Sequence, residues 1–144
     1  MTPVIQPPMV EMLPPRAYVS REAVIEAIGA VMLGADAVSR AYVDGMLRKE
    51  LQGSTMVTSE VALPHGTADV RGEVLRNVLV IAPIVGGVEW VPDCDVRLAI
   101  GFAGTGDDAH LRLLGSVARV LSDAALLERL KAGDDTSALA ALFF

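Results

Sequence analysis

Apolar residues along this chain change their spacing several times, and each change marks an expected element. Val24, Ile28 and Val31 recur at helical intervals after Ser20, which can cap a helix running to about Leu33, with Gly34 as its stop. Asp36 can cap a second helix reaching about Leu51, with Val38, Ala41, Tyr42, Gly45 and Met46 as its apolar stripe. The period then shortens. Met56 to Leu63 is rich in β-branched residues and reads as a strand, which puts the following Pro64-His65-Gly66 just past a strand end. Asn77 to Ile84 is nearly continuous Val, Leu and Ile, the pattern of a strand buried on both faces. Gly86-Gly87 suggests a turn into a short strand over Val88 to Val91. Asp95 to Ala103 alternates, with Val96, Leu98, Ile100 and Phe102 on one side.

Past a loop over 104–108, helical spacing returns as far as about Leu121. Asp107 or Asp108 is its expected cap, Leu111, Leu114, Val117, Ala118 and Leu121 its inward face, and His110 falls in its first turn. Asp123 and Thr136 start two shorter helices separated by Gly133. Helices and strands mixed within one core predict an α/β fold, a mixed sheet flanked by helices on both faces in a single compact domain.

Composition narrows the function classes. A chain of 144 residues suits one domain with one sizeable core. Hydrophobic content of 52% and a mean hydropathy of +0.46 raise the question of a membrane span. The longest apolar run, Val78 to Val88, contains Pro83, Gly86 and Gly87 and falls short of the roughly 20 residues a spanning helix needs. Residues 1–16 carry Pro3, Pro7, Pro8, Pro14 and Pro15 and no positive charge before Arg16. That is no secretory signal; it reads as a disordered or extended lead-in to a domain over residues 17–144. The lone Cys94 excludes an intrachain disulfide and fits a reducing compartment, the cytoplasm. A net charge of −6 with three Phe, two Tyr and one Trp argues against a nucleic-acid groove.

Candidate chemistry concentrates in Ala62-Leu63-Pro64-His65-Gly66-Thr67, which holds one of only two histidines. Proline fixes φ on one side of His65, and glycine frees the backbone on the other. Such a turn can present an imidazole nitrogen to a bulky charged group, or can simply end a strand with an exposed histidine. Further matches lie along the chain: Tyr42-Val43-Asp44-Gly45-Met46-Leu47-Arg48-Lys49-Glu50, then Ser54-Thr55, the strand from Val78, Asp95-Val96-Arg97-Leu98-Ala99-Ile100, and His110-Leu111-Arg112-Leu113-Leu114. In this order and spacing the chain, from about Ser20 onward, resembles the enzyme IIA domain of the mannitol/fructose branch of the bacterial sugar phosphotransferase system. The Thr after His-Gly is more similar to the mannitol type than to the nitrogen-regulatory type.

The resemblance implies that His65 accepts a phosphoryl group from the phosphohistidine of the carrier HPr and passes it to a cysteine on a IIB domain. It also implies that His110 supports the phosphorylated ring. Where the family usually shows Arg-Glu, this chain has Lys49-Glu50, with an arginine displaced to Arg48. Either Lys49 supplies a point charge there or Arg48 reaches in.

The physical requirements stand apart from the family. A nucleophilic His65 must be neutral, as an imidazole of pKa about 6.5 mostly is near pH 7. Its other ring nitrogen needs a fixed acceptor. Phosphoryl transfer asks a protein mainly for position and electrostatics. Candidate donors around the phosphoryl group are the Gly66 and Thr67 amides, the Thr67 or Thr55 hydroxyl, and His110, with Lys49 and Arg48 as cations. No metal and no cofactor is required.

Taken singly, His110 reads as a helix-surface histidine, Arg48 and Lys49 as a solvated helix end, and Trp90 as a packing residue. Cys94 lacks the glycine- and serine-rich loop of a IIB phosphocysteine. Zinc held by His65, His110, Cys94 and Asp95 is conceivable, though no close-spaced ligand pair anchors it. The principal alternative to sugar transport is a regulatory IIA-like module that signals through the phosphorylation state of His65.

Overall fold

A computed structural model of the protein describes residues 8–133. Its elements run β1 (Met9–Met12), α1 (Arg21–Gly34), α2 (Arg40–Gln52), β2 (Val61–Ala62), a 3-10 helix (Ala68–Glu73), β3 (Val78–Val91), β4 (Cys94–Ala103), α3 (Asp107–Leu121) and α4 (Ala124–Ala132). The sheet is mixed, in the order β1-β3-β4-β2. β3 and β4 pair antiparallel at its centre, and β1 and β2 add in parallel at the edges.

Strand alternation divides the core into two layers. Val78, Val80 and Ala82 of β3 face α1 and α2, joined there by Ile25, Ile28, Met32, Val43 and Met46. Leu79 and Ile81 point the other way, with Leu98, Ile100 and Phe102 of β4, against Leu113, Val117 and Val120 of α3 and Leu130 of α4. β4 therefore puts its large residues toward α3 and the small Ala99 and Ala103 toward α1. This is the expected mixed sheet with helices on both faces.

Helix ends follow local chemistry where a side chain can reach. Ser20 accepts from the Ala23 amide at α1, and Asp123 accepts from the Ala125 and Leu126 amides at α4. Gly133 closes α4 in the left-handed region at φ 76. The helix expected from Thr136 lies outside the described residues.

Several expectations are corrected. Asp107 and Asp108 do not cap α3: Gly106 holds the cap position with no side-chain hydrogen bond, and both aspartates lie in the first turn. Val96 packs in the α1–α2 layer, apart from Leu98, Ile100 and Phe102. Within the expected 1–16 lead-in, Met9–Met12 is a strand, because this proline-free run can pair on one side with Val78–Ile81 as a sheet edge. Asp36 does not cap α2: it sits at φ 54 in the preceding turn, and Ser39 holds the cap position. The expected strand over 56–63 contracts to Val61–Ala62, joined by one bridge between Met56 and Ala62. Gly86 and Gly87, at φ 78 and 74, form an irregularity inside the single long β3 rather than a turn. The turn is Pro92-Asp93, closed by the Val91–Cys94 pair, with Asp93 at φ 67. Finally, Leu111 and Leu114 of α3 face solvent and Ala118 is exposed, whereas Ala109, His110, Leu113, Ser116, Val117 and Val120 are buried.

Candidate functional site

The Pro64-His65-Gly66 turn leaves β2 at the edge of the sheet and is fixed by hydrogen bonds at both carbonyls before the histidine. The Leu63 carbonyl lies 2.7 Å from His65 Nδ1. A carbonyl oxygen can only accept, so the ring proton sits on Nδ1 and the lone pair on Nε2. This is the acceptor the sequence could not name. The Pro64 carbonyl accepts from the Phe102 amide at 3.1 Å, tying the turn to the end of β4.

Three rings meet there. Phe102 lies 4.9 Å from His65 and 5.1 Å from His110, and the two imidazoles are 5.4 Å apart, edge to face. The two histidines, 45 residues apart in sequence, thus share one site; His65 is part-buried and His110 buried. The helical register that turns Leu111 outward is the one that turns His110 onto Phe102.

Both rings are held neutral. Burial pushes His65 below its usual value, the Lys49 and Arg71 charges act in the same sense, and the Leu63 hydrogen bond and Glu50 charge oppose it. His110 is pushed down to about 4, by burial first and then by Arg71, His65 and Lys49, against Asp107. Near pH 7 a neutral His65 offers Nε2 as a nucleophile, and a neutral His110 is a hydrogen-bonding partner without charge.

Beneath the turn lies a polar cluster whose role sequence reading did not assign. Glu50 is buried, and its carboxylate accepts from the Thr55 amide at 3.0 Å, the Thr55 hydroxyl at 2.7 Å and the Trp90 indole N–H. The Thr55 carbonyl in turn accepts from the Leu63 amide at 2.9 Å. An unbroken chain of contacts therefore runs from Trp90 through Glu50, Thr55 and Leu63 to Nδ1 of His65. Trp90 is the packing residue expected, with its one polar atom anchored on Glu50.

Tyr42 braces the other side. Its hydroxyl donates to the Phe102 carbonyl at 2.8 Å. Burial pushes that phenol up to about 12, with the Gly66 amide and the Arg71 charge acting the other way. Gly66 is needed for space rather than for an unusual φ, since it is not among the residues with positive φ. A Cβ there would come within 2.7 Å of the Tyr42 ring and 2.8 Å of Val70.

The expected phosphoryl donors divide. Thr55 gives its hydroxyl proton to Glu50, so that hydroxyl is engaged as a donor inside the fold. The Gly66 amide lies near the Tyr42 hydroxyl and lowers its pKa against burial. The Thr67 hydroxyl lies 3.4 Å from Arg48 Nη2, which also reaches Asp69 at 3.4 Å. Lys49 acts on both imidazoles. Arg71, which sequence reading overlooked, does the same from the 3-10 helix. Cys94 and Asp95 begin β4 whereas Phe102 stands near its end, so they do not join the histidines in a zinc set. Among the described residues no group of three or more His, Cys, Asp or Glu side chains could hold a metal, and no helix is long and apolar enough to cross a membrane.

Comparison with known proteins identifies the family and the fold. The chain is 38% identical over 123 residues to a multiphosphoryl transfer protein of Salmonella typhimurium, covering 85% of this chain but only 32% of that protein's length. It is 30% identical over 124 residues to the mannitol-specific phosphotransferase enzyme IIA component of Bacillus subtilis, covering 86% of each. Its fold matches the solved complex of mannitol enzyme IIA and phosphorylated enzyme IIB from Escherichia coli with a TM-score of 0.81 and 25% identity, covering 92% of this chain and 93% of that one. The family model for the phosphoenolpyruvate-dependent sugar phosphotransferase system, EIIA 2, matches residues 12–144, and the chain belongs to that family.

Proposed function

We propose that this protein is a phosphoryl carrier that takes a phosphoryl group from phospho-HPr onto Nε2 of His65 and hands it to a IIB domain for sugar uptake. The observation that carries this reading is the 2.7 Å contact between His65 Nδ1 and the Leu63 carbonyl, which leaves Nε2 as the nucleophilic nitrogen of a neutral ring. In the first transfer the Nε2 lone pair attacks phosphorus, a new N–P bond forms, and the donor's P–N bond breaks with its electron pair returning to the donor imidazole. His65 keeps its Nδ1 proton. The resulting positive charge on the ring is shared with the Leu63 carbonyl and balanced by the phosphoryl oxygens. In the second transfer a IIB cysteine thiolate attacks the same phosphorus, and Nε2 recovers its pair as neutral imidazole.

His110 supports the phosphoryl group in this reading, and Lys49 offers it a point charge. Of the remaining expected ligands, the Gly66 and Thr67 amides stay available, whereas the Thr55 hydroxyl is engaged with Glu50. Arg48 holds Thr67 and Asp69. Partner proteins need apolar surface beside the site. Leu111 and Leu114, one turn apart on α3 and 64% and 37% exposed, provide it next to His110. We assign the carrier unit to residues 17–144 with β1 added, working in the cytoplasm.

Incubation with phosphoenolpyruvate, enzyme I and HPr tests the reading. Acid-labile, base-stable label should enter the wild-type chain and not the His65→Ala variant. Label that persists in His65→Ala would remove His65 from this role.

A further inference from the structure

Arg71 is placed unlike the other cations of this molecule. It follows His65 by six residues, on the 3-10 helix that continues the Pro-His-Gly turn. Its Nη1 donates to Asp107 Oδ1 at 2.5 Å, and Asp107 opens α3 one turn before His110. Its Nε is buried and has no hydrogen-bond partner. A guanidinium N–H buried without an acceptor carries a cost that most proteins avoid, so an acceptor is expected there in some state of the molecule. Its charge also reaches His65, His110 and Tyr42, the groups that surround the site.

The anchor on Asp107 is easily exchanged. Asp107 is 82% exposed, and an ion pair so open to water is worth little. A phosphoryl group on His65 carries more negative charge than a carboxylate and three acceptor oxygens, and arginine grips such a group through two parallel N–H bonds. The neighbouring cations lack that feature. Lys49 is a point charge, and Arg48, half-exposed and 3.4 Å from Thr67 and Asp69, has no buried N–H left without an acceptor.

Resting on the carrier reading above, we propose that Arg71 is the phosphoryl-binding fork of this site. In the free protein it is parked on Asp107. When His65 is phosphorylated, Nε and one terminal nitrogen turn to two phosphoryl oxygens, and Asp107 is released to solvent.

The test uses the full chain, phosphorylated by phosphoenolpyruvate, enzyme I and HPr, with Arg71→Lys, Arg71→Gln and Asp107→Asn beside wild type. Both Arg71 variants should accept phosphate about tenfold more slowly, as when a two-point grip becomes one point or none. Their phosphohistidine 31P resonance should also shift. Asp107→Asn should accept phosphate faster than wild type, because the fork is no longer parked. In wild type, the Arg71 Nε–H proton resonance should move downfield on phosphorylation, a readout that needs no variant to fold. Acceptance by Arg71→Lys and Arg71→Gln within twofold of wild type, or an Nε–H resonance that does not move, would overturn the assignment while leaving the carrier reading intact. A wild-type chain that takes no label would overturn both.

Discussion

Replacing Glu50 with alanine should damage both stability and transfer, by amounts the hydrogen-bond chain allows to be worked out. Three buried or part-buried donors lose their acceptor: the Thr55 amide, the Thr55 hydroxyl and the Trp90 indole N–H. Each orphaned donor costs about 1–3 kcal/mol. The Thr55 hydroxyl can rotate to another acceptor and water can enter the space left, so the total falls short of the sum, at roughly 3–5 kcal/mol. Glu50→Gln keeps Oε1 for the Thr55 amide and the indole. Its new amide can donate to the Thr55 hydroxyl oxygen, so it should lose only the charge-assisted part, about 1 kcal/mol. Urea unfolding measures this, with Trp90, the only tryptophan, as an indole probe inside the cluster. Transfer should follow the same order. Loss of the Thr55 anchor frees the Leu63 backbone that orients His65, so Glu50→Ala should accept phosphate from HPr about tenfold more slowly even when fully folded. An alanine variant within 1 kcal/mol of wild type, or one with wild-type transfer, would refute the chain of positioning from Trp90 to Nδ1.

Stability should also depend on pH in a defined direction. His110 is held neutral down to about 4 in the fold but titrates near 6.5 unfolded, so between those values the unfolded chain binds the extra proton. That contribution is complete above about pH 7 and is lost as pH falls, at up to roughly 1.4 kcal/mol per pH unit; His65, lowered in the same direction, adds to it. Urea midpoints from pH 7 to pH 5 should fall for wild type and fall less for His110→Phe; equal slopes would contradict the burial account. Gly66→Ala forces a methyl to 2.7 Å from the Tyr42 ring, so thermal unfolding should show a loss of about 1–3 kcal/mol together with slower phosphorylation. A variant with wild-type melting and transfer would mean that the turn can move away from Tyr42.

What was legible in the sequence was local. Pro64-His65-Gly66 after a β-branched run announces itself within a few residues, and Ser20 and Asp123 cap their helices as their spacing suggests. The inward face of α3 was misread because periodicity favours leucine over histidine inside. Burying His110 on Phe102 leaves Leu111 exposed, a choice that serves the site at the expense of the pattern. Pro92-Asp93 was a turn signal in plain view, overshadowed by Gly86-Gly87. The supporting residues were hidden for another reason. Glu50 meets Trp90 across 40 positions, Tyr42 meets Phe102 across 60, and Arg71 meets Asp107 across 36. A carboxylate at a helix end and an arginine in a polar loop look solvated until the sheet brings their partners together.

The central claim is that the fold fixes the His65 proton on Nδ1 and so reserves Nε2 for phosphorus. Phosphorylating 15N-histidine-labelled protein with phosphoenolpyruvate, enzyme I and HPr, and recording 31P–15N couplings, reads this directly. The account predicts phosphorus bonded to Nε2 of His65, with Nδ1 still protonated. Phosphorus on Nδ1, or on His110, would contradict it.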